Sequence, residues 1–580
     1  MPGVGGGAPP TPGTPSARSV ENTPVPLLIA IPVLFVALGA NPIWDANEAF
    51  YVETPRQMVL SGDYVSPTFN GDGRFNKPVL SYWVVAGLYH LFGVSVAVER
   101  VGIALGALGI VLATCLIGRA LASARLGLLA ALLVVTAPRF VLWSRRIFID
   151  IHITMYMALT LACFVLAERA PAHRRRYLLL MYVAMGLGVL TKGPVALVLP
   201  AAVVVAWLAA ERRLADLGRM MILPGVLVLA AIVVPWYALL YAEHGWEHIV
   251  SFFVGENIGR FTTTMVPAGR GYGFYLPVLL TDLFPWAPLL VVPLAAIGVS
   301  VWRRTTDRAG DPIRRLLWWW IVVIVAAFSL SETKQDLYIF PVVPAVAVLV
   351  ADELSGGRAR RATSAILMLI CVAVLGVAAA AVWLIGPAAG PWALRGVAPA
   401  GAALAAAAVG ALALARHRTR AVMALAGGFI LFNYVLVTRV LPDLARFKPV
   451  PPVAEAFRAR AAPTARLAHV SQSLPSLVFY ANHSVEDLAS VDAAVAALSS
   501  DDEWWILTPD AEARAILARA PAACTALRHA IFDFKIRQVI AREPPPEVVL
   551  VTNKCPAASS AVRSPAALND SVSPLQRRAP

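Results

Sequence analysis

The sequence predicts a polytopic α-helical membrane protein with about 13 spans, amphipathic helices on its external loops, and a small extracytoplasmic α/β domain at its C-terminal end. Three observations carry that prediction. The 580 residues are 58% hydrophobic and 14% charged, against roughly 25% charged residues in a soluble domain. Apolar runs long enough to cross a hydrocarbon layer recur along the chain. The basic residues gather in every second connection between those runs, which is how orientation in a bilayer is set.

Residues 1–23 are rich in Pro and Gly and carry no apolar stripe, so they read as a disordered tail on the cytoplasmic side. The run near 25–40 has no basic segment directly before it and no small-residue cleavage pattern after it, and is read as a retained first span. Further spans are expected near 98–118, 127–144, 150–168, 177–191, 193–210, 221–241, 274–301, 315–331, 336–352, 363–386, 398–415 and 420–438. They make up a membrane domain over 24–440 with two long loops, 41–97 and 242–273. After it the composition changes. "RLAHVS", "SLVFYAN", "EWWILT" and "EVVLVTN" read as strands between Ala-rich helical stretches, giving an α/β domain over 441–557, then a disordered tail over 558–580.

The connections "RALASARLG", "ERAPAHRRRYL", "ERRLADLGRM", "WRRTTDRAGDPIRR", "DELSGGRARRA" and "RHRTR" all fall on one side, assigned to the cytoplasm. The N-terminus is then inside, and both long loops and the C-terminal domain are outside, in a bacterial-type inner membrane. This placement accounts for the net charge of +14 without nucleic acid. Cys115, Cys163 and Cys371 lie in apolar runs as packing residues; Cys524 and Cys555 can pair if their domain is outside the reducing cytosol.

Several charges then sit on the outer face, against the positive-inside pattern: Arg145, Arg146, Lys192 and Lys334. Charges so placed usually have a local partner, and an anionic phosphate is one. In "WDANEAF", Asp45 and Glu48 have the spacing of a helix-capping pair, or of two carboxylates projecting from one helix face as proton acceptors. "GDGRFNKPVLSYW" offers Lys77 between aromatics, an interfacial anchor or a fixed cation. "VGENIGRF" offers Arg260 with Glu256, "RRIFID" puts Asp150 at the external start of a span, and Lys334 and Tyr338 stand four apart.

These stretches resemble the polytopic C-type glycosyltransferases that use polyprenyl-phosphate sugars, among them the protein O-mannosyltransferases and the lipid A aminoarabinose transferase. "YVETPRQMVLSGDY" is similar to the family's Tyr-x-Glu-x-x-Arg-x-Met-Leu-x-Ser-Gly-Asp-Trp pattern, and "RFNKPVLSYW" to Phe-Glu-Lys-Pro-Pro-Leu-x-Tyr-Trp. "LTKGP", "VGENIGRF", "FYLPVLLTDLFPW" and "SLSETKQDLYIFPVVPA" continue the match. The resemblance implies transfer of one sugar from a polyprenyl-phosphate donor to an extracytoplasmic hydroxyl on a glycolipid, polymer or protein. Asp45, Glu48 and Asp150 are its expected catalytic acids. Asn47, Tyr51, Asn76, Lys77, Tyr82, Lys192, Glu256, Arg260, Lys334 and Tyr338 are its expected substrate contacts. The family's catalytic Asp position holds Asn47, and two positions that help bind zinc in the lipid A enzyme hold Asn76 and Asn257; no metal or other cofactor is therefore expected. A lipid transporter, which would place charges at mid-membrane and show repeats, and a non-catalytic lipid-binding scaffold are the alternatives.

Overall fold

The computed structural model describes residues 25–45, 47–262, 270–302, 310–356, 360–532 and 535–555; the tails read at 1–23 and 558–580 lie outside these. Among the described residues seven helices are long and apolar enough to cross a bilayer, running from Val96–Leu121 to Arg418–Phe447. At the position of the eighth predicted span stands a bent pair, Tyr272–Asp282 and Ala287–Val299, meeting at 115°, a geometry of either a broken span or a re-entrant loop. Shorter apolar helices at Leu27–Ala40, Ala124–Thr136, Val195–Ala210 and Val397–Ala413, with Arg174–Lys192, occupy the remaining predicted positions. Prolines account for the shortening. Pro138 ends one helix and restarts another, and Pro32 with a left-handed Ala37 (φ 55°) breaks the first span into 3₁₀ turns. The spans meet through large buried rings such as Trp207, Trp286 and Trp320, and through polar contacts suited to a dry interior. Trp286 Nε1 donates to Thr136 Oγ1 at 2.9 Å, and Asn433 Nδ2 to the Thr136 carbonyl at 3.0 Å.

The basic connections meet at one end of the bundle. Glu168 takes Arg174 at 2.5 Å and Arg213 at 2.8 Å, Glu211 takes Arg315 at 2.5 Å, and Asp352 takes Arg314 at 2.7 Å. At the opposite end the two long loops touch, with Ser66 donating to Glu243 at 2.6 Å and Lys77 paired to Glu256 at 2.5 Å.

The C-terminal domain sits at that second end. Its five strands run in the order 485–488, 466–470, 504–509, 547–552, 524–530, the first three parallel and the last two antiparallel to their neighbours. Three of its elements differ from the sequence reading, among them the strand Val485–Leu488, which that reading lacks. "SLVFYA" is a helix, Ser476–Ala481, not a strand: Pro475 precedes it, a left-handed Asn482 (φ 52°) ends it, and Leu477, Val478 and Ala481 bury one helical face. Cys524–Ala530 is a strand whose half-exposed residues lack clean alternation. Cys524 and Cys555 are disulfide-bonded, with Cα atoms 5.8 Å apart.

Candidate active site

The helix Asn47–Ser61 of the first long loop lies between the membrane domain and the C-terminal domain. Asp45 and Glu48 do not share its face, because the helix begins only at Asn47. Asp45 turns to the C-terminal domain, where Oδ1 accepts from the Ser476 N–H at 2.7 Å and Oδ2 from Ser476 Oγ at 2.5 Å. Burial raises its pKa, and the two bonds oppose that rise. Glu48 is fully buried: Oε1 accepts from Arg146 Nε at 2.7 Å, and Oε2 from the Trp44 N–H at 2.9 Å with Arg100 at 3.5 Å. The bond to Trp44 is the cap-like contact; the two arginines make Glu48 an internal counter-ion. Asn47 is exposed at the first turn.

The "YVETPR" motif is a clamp. Glu53 is buried and accepts two bonds from Arg56, at 2.8 and 2.7 Å, and Arg56 also donates to Asn482 of the C-terminal domain. On the other face Tyr51 stacks on Tyr82 with ring centroids 5.7 Å apart. Burial, and next the neighbouring Tyr82, hold the Tyr51 phenol well above its ordinary pKa; Asp150 and Glu256 add to the rise, so both carboxylates lie within electrostatic reach.

Asp150, at the start of Ile149–Arg169, is ion-paired with Lys192, the last residue of Arg174–Lys192. The Lys192 ammonium lies 5.3 Å from the Tyr338 ring centroid. Gly193 follows at φ 99°, and a Cβ there would meet Phe252 at 2.7 Å and Asn257 at 3.4 Å, which puts the 251–259 segment against Lys192. From that segment Glu256 receives Lys77, whose ammonium also donates to the Asn76 carbonyl at 2.8 Å. The structure thus brings together Tyr51, Tyr82, Lys77, Asp150, Lys192, Glu256 and Tyr338.

Lys334 departs from the expectation. The segment 331–335 is not α-helical, so Lys334 and Tyr338 do not share a helix face. Lys334 is 5% exposed and donates to the Ser331 carbonyl at 2.5 Å, over the Tyr272 ring. The Arg260 side chain lies outside the described residues. Arg145, expected to meet a phosphate, donates instead to the carbonyls of Val33 at 3.0 Å and Ala37 at 2.9 Å. Arg100 was not singled out from the sequence. It donates to the carbonyls of Leu38, Asn41 and Pro42 as well as reaching Glu48, and its signal was a charge pair, Glu99–Arg100, inside an apolar run.

The donor set does not suit the zinc site of the lipid A enzyme. Asn76 is exposed, Asn257 Nδ2 donates to the Phe252 carbonyl at 2.8 Å, and among the described residues no three His, Cys, Asp or Glu side chains converge as ligands.

The fold is that of a polytopic helical membrane protein with a small C-terminal α/β domain, and the comparisons place it near proteins of one architecture. The family described as dolichyl-phosphate-mannose-protein mannosyltransferase matches residues 28–252. The undecaprenyl phosphate-alpha-4-amino-4-deoxy-L-arabinose arabinosyl transferase 2 of Pseudomonas fluorescens is 31% identical over 388 residues, 64% of this chain and 65% of that protein. The corresponding transferase of Edwardsiella ictaluri is 31% identical over 346 residues, 58% of this chain and 60% of its own length. The match thus spans somewhat less than two thirds of these relatives. The crystal structure of ArnT from Cupriavidus metallidurans bound to undecaprenyl phosphate superposes with a TM-score of 0.76 at 22% identity, over 93% of this chain and 99% of that one.

Proposed function

We propose that this protein transfers a monosaccharide from a polyprenyl monophosphate to an extracytoplasmic hydroxyl, in the inner membrane, with the N-terminus cytoplasmic and the C-terminal domain outside. The observation that carries this reading is the Asp150–Lys192 pair beneath Tyr338 and beside Lys77–Glu256, at the end of the bundle opposite the basic connections. The relatives named for undecaprenyl phosphate sugars support it, and so does the disulfide, which belongs to an oxidising compartment.

The chemistry asks little of the protein beyond charge and placement. The acceptor oxygen attacks the anomeric carbon, the bond from that carbon to the phosphate oxygen breaks, and the phosphate leaves with the electron pair. The hydroxyl proton passes to a carboxylate. One displacement inverts the anomeric centre. Asp150 is the proposed base, because Asp45 already holds Ser476 with both oxygens and Glu48 is enclosed by donors. Lys192 and Lys77 are the proposed phosphate cations, where fixed charge in a water-poor site stabilises the leaving group. When Lys192 turns toward a donor phosphate it releases Asp150, so donor binding itself frees the base. Glu256 stands in the same relation to Lys77. No step runs through a metal.

The test is turnover of a radiolabelled polyprenyl-phosphate sugar by the purified full-length protein in lipid, with products resolved by anomeric configuration. Inverted product is expected. Donor binding with no transfer to any envelope fraction would reduce the protein to a scaffold, and a retained configuration would overturn the single displacement.

A further inference from the structure

The C-terminal domain carries polar chemistry that the transfer reaction does not use. His469 lies on the strand 466–470 and is buried, at 5% exposure. Its register partner on the neighbouring strand 485–488 is Asp487. Asp487 Oδ1 accepts from His469 Nδ1 at 2.6 Å. With its proton on Nδ1 the ring presents Nε2 as an acceptor, and Ser473 Oγ donates to that nitrogen at 3.4 Å. A hydroxyl, an imidazole and a carboxylate thus stand in series, with the imidazole between the other two.

The sheet explains why these three meet. Strands 485–488, 466–470 and 504–509 are parallel, with 466–470 in the middle. The chain leaves the middle strand for one neighbour and later crosses to the other. The carboxyl end of 466–470 is therefore a topological switch point, the place where open α/β sheets bind ligands. Ser471 follows that strand directly with a left-handed backbone (φ 59°), a conformation that non-glycine residues hold at a cost and that concentrates at functional sites. Beyond this turn Ser473 reaches back to His469 while staying exposed, open to a reagent. Burial lowers the His469 pKa and Asp487 opposes that shift, which favours the neutral ring that a base requires. Asp487 is exposed, so its charge is screened and its part is to hold the tautomer and orientation of the ring. A cross-strand ion pair accounts for His469 and Asp487 alone and leaves the serine on the second nitrogen unexplained.

We propose that Ser473, His469 and Asp487 form a second catalytic centre in this protein, one that cleaves a carboxylic ester. Ser473 Oγ attacks the ester carbonyl carbon as its proton passes to His469 Nε2. The bond from that carbon to the alcohol oxygen breaks, the alcohol leaves with the electron pair and takes the proton, and the acyl group stays on Ser473. Water, deprotonated by the same nitrogen, then releases the acid and restores the serine. The roles are those of a nucleophile, a general base and a residue that orients the base. The centre faces the first long loop, since Asp45 holds Ser476 three residues beyond Ser473 and its charge reaches His469. The ester is therefore met at the end of the bundle that carries the proposed transfer site.

The experiment reads the activation of one serine. Purified full-length protein in lipid nanodiscs is treated with a fluorophosphonate probe, which modifies serines activated by a base, and the labelled position is found by mass spectrometry. Hydrolysis of p-nitrophenyl acetate is followed in parallel. Label is expected on Ser473 and not on Ser471, and Ser473→Ala should abolish the label and lower the hydrolysis to background. His469→Gln should slow labelling by about 10²-fold or more, the size of general-base assistance. Asp487→Ala should slow it by about tenfold or more, because the ring is no longer held with Nε2 free. No label on Ser473, or label shared equally with Ser471, would overturn the proposal. Label on Ser473 with ester hydrolysis no faster than in Ser473→Ala would overturn it as well. Asp487 is exposed, so its variant keeps the fold and decides the matter even where the buried His469→Gln does not fold: an unchanged labelling rate in Asp487→Ala sinks the assignment.

Discussion

A carboxylate can take a proton only through an oxygen that is available, and the candidate acids differ in that respect. Asp45 spends both oxygens on Ser476, Glu48 meets three donors, and Asp150 meets Lys192, which a phosphate can draw away. Asp150→Asn should therefore lower kcat about 10²–10⁴-fold with donor affinity nearly unchanged, read by single-turnover kinetics and donor binding. Asp45→Asn keeps an acceptor for the Ser476 N–H and a donor for its hydroxyl, so it should stay active. An inactive but normally folded Asp45→Asn would return the base to position 45. Lys448, over the Trp44 ring, gives a pH signature in folding stability. Its charged neighbours are Arg146, Arg100, Asp45 and Glu48, and its pKa near 8 lies below the ordinary 10.5. The folded state thus binds fewer protons than the unfolded one between those values, and folding stability should rise with pH across that window. Lys448→Arg, which stays charged across that window, should remove the dependence, read by thermal melts at pH 7 and pH 9.

Between helices, Val397–Ala413 and Arg418–Val435 approach closely. A Cβ on Gly428 would meet the Ala407 Cβ at 2.0 Å, whereas one on Gly427 meets nothing within 4 Å. Gly428→Leu should cost about 1–3 kcal/mol by overpacking and Gly427→Leu less than about 0.5 kcal/mol, compared by thermal melts in detergent. Equal effects would show that the two helices are not packed as described. The apolar runs were legible in the sequence because length and composition decide a span locally. Other elements were not. The helix at 476–481 depends on Pro475 before it and a left-handed Asn482 after it, while its residues suit a strand equally well. The pairing of Lys334 with Tyr338 presumed an α-helix where the chain makes a short 3₁₀ segment starting at Asp336. Among the site residues, Asp150, Lys192, Lys77 and Glu256 were legible as charges assigned to one face, since that assignment follows from loop charge. Their pairing was not, because it joins four elements distant in sequence. The counter-ion role of Glu48 also escaped the sequence, since it needs Arg100 and Arg146 folded against it.

At the scale of the molecule, the C-terminal domain is fastened to the first long loop and closed by its own disulfide. Replacing Cys524 and Cys555 with Ser should cost that domain about 2–5 kcal/mol, and in intact cells the native pair should resist thiol reagents until reduced. Labelling without reduction would place the domain on the reducing side and reverse the topology. The fastening is specific: Asp45 holds Ser476, Ile43 donates to Tyr480 at 2.9 Å, Arg56 reaches Asn482, and Asn70 exchanges two bonds with Val485. A chain cut after residue 440 should insert into the membrane yet show no turnover, and restored activity on adding residues 441–557 in trans would confirm the reason. Each of these contacts joins residues more than 400 positions apart, 431 in the case of Asp45 and Ser476. During synthesis the first loop emerges early and waits, half-built, until nearly the whole protein has followed it. An unfinished or C-terminally degraded chain therefore lacks the contacts that fasten the loop, so the loop's anchorage is completed only when translation is nearly done.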